Sequence, residues 1–199
     1  MLKRPESDTH FAGLSGPFEG ANLIKALGFC NQFRTVIDGG AHIGSWTVYL
    51  ADKFDRVISF EPLESNYECL LENIRGIDNV EPHKAALGDK ETRLSMHPPV
   101  NPGNSGAGWV MSGDDFESIT VDSLDINNLD FLKLDIEGYE PHAITGAVET
   151  IKRCKPVILV EQKQITARFG LPFDEAGKRI EALGYKLRAK MNNDYIYSA

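Results

Sequence analysis

The chain has 199 residues, 42% of them hydrophobic, which is enough to build one domain with a sizeable core. Its formal net charge of -8 argues against a nucleic-acid backbone as the main partner, although it leaves room for a small anionic ligand. The chain begins with a polar stretch and has no apolar run of about 18 residues. We therefore expect no signal peptide, no membrane insertion and a cytoplasmic location.

The N-terminal part of the chain is expected to precede the core of a single domain that spans residues 1–199. Residues 1–20 show no hydrophobic period, so we expect them to be mobile or to cover a ligand. Residues 19–33 carry apolar side chains at helical spacing and predict the first helix.

A glycine-rich turn follows the first predicted strand. The apolar run 35–37 ends in Asp38, and small residues lead from there into an apolar stretch, 46–51, that predicts a helix. This order of strand, turn and helix is typical of a nucleotide-binding half-unit. A second strand, Arg56–Phe60, ends before Glu61, and Glu61 lies 21 residues after Gly40. An acid at about this distance is placed to hold a ribose.

The middle of the chain predicts a helix from residue 65, a strand over 80–87 and an extra strand over 92–96. Residues 97–118 are rich in Pro, Gly, Asn and Ser, so we expect a long loop that contacts the substrate. A short strand is predicted over 119–124.

The last third of the chain continues the alternation of strands and helices. Buried strands are predicted over 131–135 and 156–161, with one helix through Ile144, Val148 and Ile151 between them. A helix over 174–183 and a hairpin of 185–190 with 195–198 complete the pattern. Continuous apolar strands alternating with helices predict an α/β fold with a parallel sheet that is covered on both faces, and the hairpin adds one antiparallel strand.

Four predicted strands end in or just before an acid: Asp38, Glu61, Asp135 and Glu161. Ligands bind at the carboxyl ends of strands in open parallel sheets, so these carboxylates are expected to converge on a ligand that supplies donors and positive charge. S-adenosylmethionine has an amino group, a ribose and a cationic centre. The alternative for each acid alone is that it caps the N-terminus of the following helix.

Five blocks of the sequence, over roughly residues 33 to 198, resemble the FkbM-type methyltransferase family in order and spacing. They are residues 36–44, 60–62 with Asn66, 85–89, 133–140 and 156–161, of which the Lys-x-Asp-x-Glu-Gly-x-Glu block at 133–140 is the most specific. The resemblance implies a class I methyltransferase fold, which is a Rossmann-like three-layer sandwich around a mostly parallel seven-stranded sheet with an antiparallel C-terminal strand. It also implies methyl transfer from S-adenosylmethionine, typically to a hydroxyl oxygen.

The residues expected to bind this cofactor lie in the matched blocks. Glu61 is placed for the ribose hydroxyls, small side chains at 85 and 86 leave room for adenine, and glycines allow close approach of the backbone. The full set is Asp38, Gly39, Gly40, Ala41, His42, Gly44, Glu61, Pro62, Asn66, Ala85, Ala86 and Asp135.

Catalysis of methyl transfer depends mainly on alignment, although an alcohol acceptor also needs a group that removes its proton. The candidates for this role are Asp135, Glu161 and His42. His42 has an alternative role, which is to pack over the cofactor. Substrate contacts are expected from Asn104, Ser105 and Glu137, and His10, Phe11 and Trp109 are further candidates for lining an acceptor pocket.

Several alternatives stay open at the level of the sequence. No metal is expected, but Asp135, Glu137 and Glu140 are spaced so that they are an alternative divalent-metal site. The acceptor is expected to be a small molecule or a saccharide, and a dimer is compatible with the sequence. The alternative functions are an NAD-dependent oxidoreductase, because Gly39-x-Ala41-x-x-Gly44 loosely resembles a dinucleotide fingerprint, and a non-catalytic module that kept the cofactor fold.

Overall fold

A computed structural model describes residues 1–13, 16, 17 and 19–199, so positions 14, 15 and 18 of the predicted N-terminal segment lie outside the described residues. The helices are α1 (Gly20–Leu27), α2 (Ser45–Ala51), α3 (Glu64–Asn73), α4 (Glu140–Thr145), α5 (Val148–Cys154) and α6 (Glu175–Ala182). The strands are β1 (Thr35–Gly39), β2 (Arg56–Phe60), β3 (Val80–His83), β4 (Ala85–Leu87), β5 (Thr92–His97), β6 (Trp109–Ser112), β7 (Phe116–Ile119), β8 (Leu129–Leu134), β9 (Val157–Glu161), β10 (Lys186–Met191) and β11 (Asp194–Ser198).

The main sheet has seven strands within the described residues, in the order β10-β11-β9-β8-β1-β2-β3. β8, β1, β2 and β3 pair in parallel, as do β8 and β9, whereas β11 pairs antiparallel with both of its neighbours. This arrangement confirms the predicted fold class, including the single antiparallel strand near the C-terminus.

Each central strand is buried on both faces because helices cover the sheet on both sides. On one face, Val36, Val57 and Phe131 pack with Leu23 of α1 and Leu50 of α2. The opposite face carries the alternate strand residues and packs against α4, α5 and α6, through Ile37, Ile58, Leu132, Ile158, Ala143, Ile144, Ile151 and Ile180. Burying each large apolar side chain stabilises the fold by roughly 1.5–3 kcal/mol. Continuous burial explains why the core strands lack an alternating polar pattern.

The predicted strand over 80–87 is wrong, because the chain changes sheets inside it. β3 ends at His83, which pairs with Phe60, and Lys84 is exposed. β4 then pairs in parallel with β7 and belongs to a second, four-stranded sheet in the order β4-β7-β5-β6.

The predicted loop over 97–118 is also wrong in part. It contains a 3₁₀ helix, Ser105–Ala107, followed by β6 and β7, and each of these strands pairs antiparallel with β5. The strand predicted over 119–124 ends at Ile119 instead, and Asp122–Leu124 is a 3₁₀ helix.

The helix predicted through Ile144 and Ile151 is two helices, α4 and α5, which are separated at Gly146. A Cβ atom at Gly146 would lie 2.0 Å from the carbonyl oxygen of Gly88, so the chain passes too close to another backbone segment for a side chain there. No helix among the described residues has the length and apolarity needed to cross a bilayer.

Candidate functional site

A cavity of about 340 Å³ lies at the carboxyl ends of the central strands. Its walls come from the glycine-rich turn after β1, the segment after β2, the second sheet and the turn after β8. The predicted site residues that line it are Gly40, Ala41, His42, Glu61, Pro62, Asn66, Ala85, Ala86, Asn104, Ser105, Asp135, Glu137 and Glu161. His10 and Phe11 also line the cavity, whereas Trp109 does not and instead stacks on His97.

The turn after β1 needs its glycines for different reasons. Gly40 has φ +76°, and a Cβ atom there would lie 1.9 Å from the carbonyl oxygen of Asp135. Gly44 has φ +83°, and its Cβ atom would lie 2.6 Å from Leu70 Cδ1. The turn is thus held between β8 and α3. Gly39 and Gly44, which were expected to contact the cofactor, belong to the same segment but are not part of the cavity wall.

Asp38 lies beneath the cavity and not in its wall. It is completely buried, its Oδ2 accepts a hydrogen bond from Thr47 Oγ1 at 2.7 Å, and its Oδ1 lies 3.1 Å from Lys133 Nζ. Burial alone lowers the pKa of Lys133, but the carboxylates of Asp38 and Asp135 outweigh this effect and raise it. The sequence placed Asp38 in contact with the cofactor or with loop amides, whereas the structure shows contacts with side chains.

Glu61 lines the cavity with a carboxylate that is 5% exposed. Oε2 accepts a hydrogen bond from the backbone N–H of His42 at 2.9 Å, and Oε1 accepts one from Leu63 at 3.0 Å, just before α3. Burial raises the pKa of Glu61 to about 7 against these two hydrogen bonds. The residue therefore joins the two turns that flank the cavity, and α3 has no side-chain cap at its N-terminus.

Asn66 extends the same wall. Its Nδ2 donates to the carbonyl of Ser105 at 3.1 Å, while its buried Oδ1 has no hydrogen-bond partner within the described residues. A buried amide oxygen without a partner is costly, so this atom is suited to a donor on a ligand. The facing wall carries Ala85 and Ala86, whose short side chains leave the cavity open between the two sheets.

His42 has φ +54°, a backbone conformation that residues other than glycine rarely adopt. Its Nε2 lies 2.7 Å from Ser105 Oγ, and its ring packs against Phe11 at 4.6 Å between centroids. Burial lowers the pKa of His42 to about 4, so the ring is neutral at pH 7. The role that the sequence left as an alternative, packing over the cofactor, stays a prediction.

An acidic cluster forms where β8 and β9 end: Asp135, Glu137 and Glu161 have carboxylate oxygens within 4.8 Å of one another. Lys163 lies among them, with Nζ 2.6 Å from Glu161 Oε1 and 3.4 Å from Glu137 Oε1. Burial and the neighbouring carboxylates raise the pKa of Glu161, and burial also raises that of Glu137. The ammonium group of Lys163 supplies positive charge where a cation would otherwise bind.

Glu140, the third member of the alternative metal set, lies elsewhere. Its Oε1 accepts hydrogen bonds from the backbone N–H groups of Ile136 and Gly138, at 2.9 and 3.1 Å. Glu140 is 1% exposed, and burial raises its pKa to about 7. It holds the turn after β8, so the trio that the sequence offered as a metal site does not come together.

Lys163, in the cavity wall, and Asp8, which lies behind it, were not among the sequence candidates. Lys163 lines the cavity because it lies two residues after the end of β9. A search for basic as well as acidic residues just after predicted strands would have found it. Asp8 is completely buried and binds Ser105, 97 positions away, and no local pattern in the sequence signals this contact.

A model of the methyltransferase FkbM domain matches residues 38–187, whereas no curated protein sequence matches the chain.

Solved structures show the same fold at low sequence identity. A methyltransferase FkbM from Methylobacillus flagellatus KT is 20% identical with a TM-score of 0.62, over 100% of this chain and 48% of that chain, so this chain spans about half of its length. An S-adenosylmethionine-dependent methyltransferase from Aquifex aeolicus is 17% identical, with a TM-score of 0.52 over 91% of this chain and 89% of its own. Aeropyrum pernix fibrillarin, solved with natively bound S-adenosylmethionine, is 14% identical, with a TM-score of 0.53 over 90% and 73% of the two chains.

The family model covers three quarters of the chain and includes the turn after β1, Glu61 and the acidic cluster. The chain therefore belongs to the FkbM methyltransferase domain family.

Proposed function

We propose that the cavity binds S-adenosylmethionine and that the protein transfers its methyl group to a hydroxyl oxygen of a small molecule or saccharide. The observation that carries the proposal is the position of Glu61, a buried carboxylate in the cavity wall beside a turn that only glycine can form at residue 40. Family membership supports methyl transfer, and two structural relatives are described as dependent on S-adenosylmethionine or bound to it.

The residues present fit this cofactor. A volume of about 340 Å³ lies within the usual range for ligand pockets, about 300–1,000 Å³. Glu61 accepts hydrogen bonds from a ribose, the unpaired Oδ1 of Asn66 accepts one from a donor on the ligand, and the space beside Ala85 and Ala86 admits an adenine. Asp135, which also lines the cavity and is not one of the carboxylates that pair with Lys163, is suited to the positively charged end of the ligand.

S-adenosylmethionine, when bound, supplies a methyl group on a sulfonium that is displaced in line by a nucleophile. The protein's part is to align the acceptor and to take its proton. Asp135 is the first candidate for the proton, because it lines the cavity where β8 ends. Glu161 is less suited because its Oε1 already pairs with Lys163 Nζ at 2.6 Å, and His42 is less suited because burial lowers its pKa to about 4.

Calorimetric titration with S-adenosylmethionine tests the proposal, with NAD titrated in parallel. We expect saturable binding of the first ligand alone. Glu61→Ala removes the acceptor proposed for the ribose hydroxyls and the two backbone hydrogen bonds that hold the flanking turns, so the affinity for S-adenosylmethionine is expected to fall roughly 100-fold. Glu64→Ala is the matched control, because Glu64 is close in sequence but its exposed side chain pairs with Lys84.

The protein that binds is then incubated with labelled S-adenosylmethionine and pools of sugars and hydroxylated metabolites. A labelled methyl ether in the product is the expected result. Absence of binding by the intact protein would refute the proposal, as would equal binding by Glu61→Ala and the control. Label found only on nitrogen or carbon would refute the hydroxyl acceptor.

A further inference from the structure

Asp8 connects the N-terminal segment to the cavity. Its carboxylate is completely buried and accepts hydrogen bonds from the backbone N–H of Phe11 at 3.0 Å, the backbone N–H of Ser105 at 3.0 Å and the hydroxyl of Ser105. The adjacent backbone N–H groups of Thr9 and His10 donate to the carbonyl of Gly103. The segment is thus fixed to the 101–106 turn at the edge of the cavity.

The hydroxyl of Ser105 lies between Asp8 and His42, with Oγ 2.7 Å from His42 Nε2. A hydroxyl has one hydrogen to donate, and an ionised carboxylate can only accept. Hydrogen bonds from Ser105 and Phe11 outweigh the effect of burial and lower the pKa of Asp8, so the carboxylate is ionised at neutral pH. Ser105 therefore donates to Asp8 and accepts from His42.

The orientation of Ser105 determines which ring nitrogen of His42 carries the hydrogen. Since Ser105 Oγ accepts, Nε2 must be the donor, and a neutral ring then has a lone pair on Nδ1. Within the described part of the chain, Nδ1 has no hydrogen-bond partner. The ring lines the cavity, and its backbone N–H bonds to Glu61, the residue assigned to the ribose.

We propose that Asp8 is a positioning residue: through the hydroxyl of Ser105 it holds neutral His42 in the Nε2–H tautomer, so that Nδ1 accepts a hydrogen bond from a hydroxyl of the bound cofactor. The last part of this statement rests on the proposed function, whereas the tautomer does not. Asp8 acts on the ligand only through His42. This arrangement requires Asp8 to be bound to Ser105, as it is in this structure.

Nitrogen NMR of the histidine side chains tests the tautomer directly in the ligand-free protein, because the resonances of a protonated and an unprotonated ring nitrogen are far apart. The chain has five histidines, and the spectrum of His42→Gln assigns the signal. We expect the wild-type signal to be that of a neutral ring with the hydrogen on Nε2. A ring with the hydrogen on Nδ1, or a charged ring, near neutral pH overturns the proposal.

Variants then test the role of the two partners. Asp8→Asn frees the Ser105 hydrogen to point at His42, so a substantial share of the ring is expected to shift to the Nδ1–H tautomer. Ser105→Ala is expected to remove the preference, and Ser105→Thr, which keeps the hydroxyl, to restore it. Asp52→Asn is the matched control, since Asp52 is exposed and pairs with Lys53. An unchanged tautomer in folded Asp8→Asn and Ser105→Ala overturns the proposal.

Saturating S-adenosylmethionine tests the contact with the ligand. We expect the Nδ1 resonance of His42 to shift when the cofactor binds, by the amount typical of a new hydrogen bond. An unchanged resonance in a protein that calorimetry shows to bind the cofactor overturns this part. Failure of S-adenosylmethionine to bind at all would refute the proposed function and would leave the tautomer result standing, so the two failures are distinguishable.

Discussion

Asp38 and Lys133 form a buried ion pair beneath the glycine-rich turn, with Oδ1 and Nζ 3.1 Å apart. The same ammonium group donates to the carbonyl of Gly40 at 2.7 Å. The acid at the end of β1 therefore acts on the turn through a lysine from the neighbouring strand. Asp38 itself is outside the cavity wall, so its contacts act on the shape of the turn.

Replacing one member of this pair is expected to destabilise the protein strongly. Asp38→Leu leaves a buried ammonium without its carboxylate and should cost about 3–5 kcal/mol in urea unfolding. Lys133→Met added to Asp38→Leu should recover most of this loss, because two apolar groups need no partner. Glu72→Gln, which removes an exposed pair with Arg75, is the control and should cost less than about 1 kcal/mol. Equal losses in the free energy of unfolding for Asp38→Leu and Glu72→Gln would contradict the importance of the buried pair.

Gly40→Ala is expected to disrupt the turn by steric collision as well as by backbone strain. Positive φ alone costs an alanine about 1–2 kcal/mol, and forcing the strands apart adds about 1–3 kcal/mol. Gly76→Ala separates the two effects, since Gly76 has φ +82° but no atom within 4 Å of the added Cβ atom. Thermal unfolding and S-adenosylmethionine titration should show that Gly40→Ala lowers both the stability and the affinity for S-adenosylmethionine more than Gly76→Ala does. Similar losses in both variants would mean that strain alone matters.

Glu140 should make the protein less stable as the pH rises from about 4.5 to about 7. Burial raises its pKa from 4.5 to about 7 in the folded state, so the folded protein binds the proton more tightly than the unfolded chain. The contribution of Glu140 to the free energy of unfolding is therefore fully present below pH 4.5, the pKa in the unfolded chain. It is lost as the pH rises through about 7, the pKa in the folded protein, and the total loss is about 3 kcal/mol.

Urea unfolding between pH 4.5 and 8 checks this expectation. Glu140→Gln keeps an oxygen that accepts from Ile136 and Gly138 but does not titrate, so the wild type should lose stability relative to this variant as the pH rises. Glu149→Gln, at an exposed carboxylate, should follow the wild type. Parallel curves for the wild type and Glu140→Gln would refute the expectation.

Asp135→Asn should lower turnover more than cofactor affinity. If Asp135 takes the proton of the acceptor, the loss in kcat is expected to be about 10²–10⁴-fold, while the dissociation constant for S-adenosylmethionine changes little. Methyl-transfer assays and calorimetry measure the two quantities separately. Asp114→Asn is the control, because that side chain is 84% exposed. Full turnover by Asp135→Asn would exclude the proposed role.

The central sheet and the acids at its edge could be predicted because each depends on a local pattern. Apolar runs that end in an acid indicate β1, β2 and β9, and the structure brings Glu61, Asp135 and Glu161 to one cavity. The prediction was weaker where the role of a residue depends on side chains that the fold brings next to it. Asp38 has the same sequence context as Glu61, but Lys133 and Thr47 bind it away from the cavity.

Of the second sheet, the sequence indicates β5 as the extra strand over 92–96, whereas β6 and β7 could not be predicted because they are short and depend on pairing with other segments. Trp109–Ser112 and Phe116–Ile119 follow a stretch of turn residues, and both pair with the strand Thr92–His97. Asp8 shows the same limit, since its partner lies 97 residues away. In both cases the structure depends on contacts between segments that are far apart in the sequence, and the local composition of the segments does not indicate these contacts.

Because the chain changes sheets at Lys84, the cavity is built from two sheets, which share one core through Ala85 and Leu87. Glu61, Gly40 and Asp135 are attached to the seven-stranded sheet, whereas Met96, Gly108 and Val110 in the opposite wall belong to the smaller sheet or border it. Substitutions at Met96 or Val110 would change the shape of that wall, while the strands that place Glu61 and Asp135 belong to the seven-stranded sheet. We therefore expect the fit of an acceptor to depend on these positions of the smaller sheet.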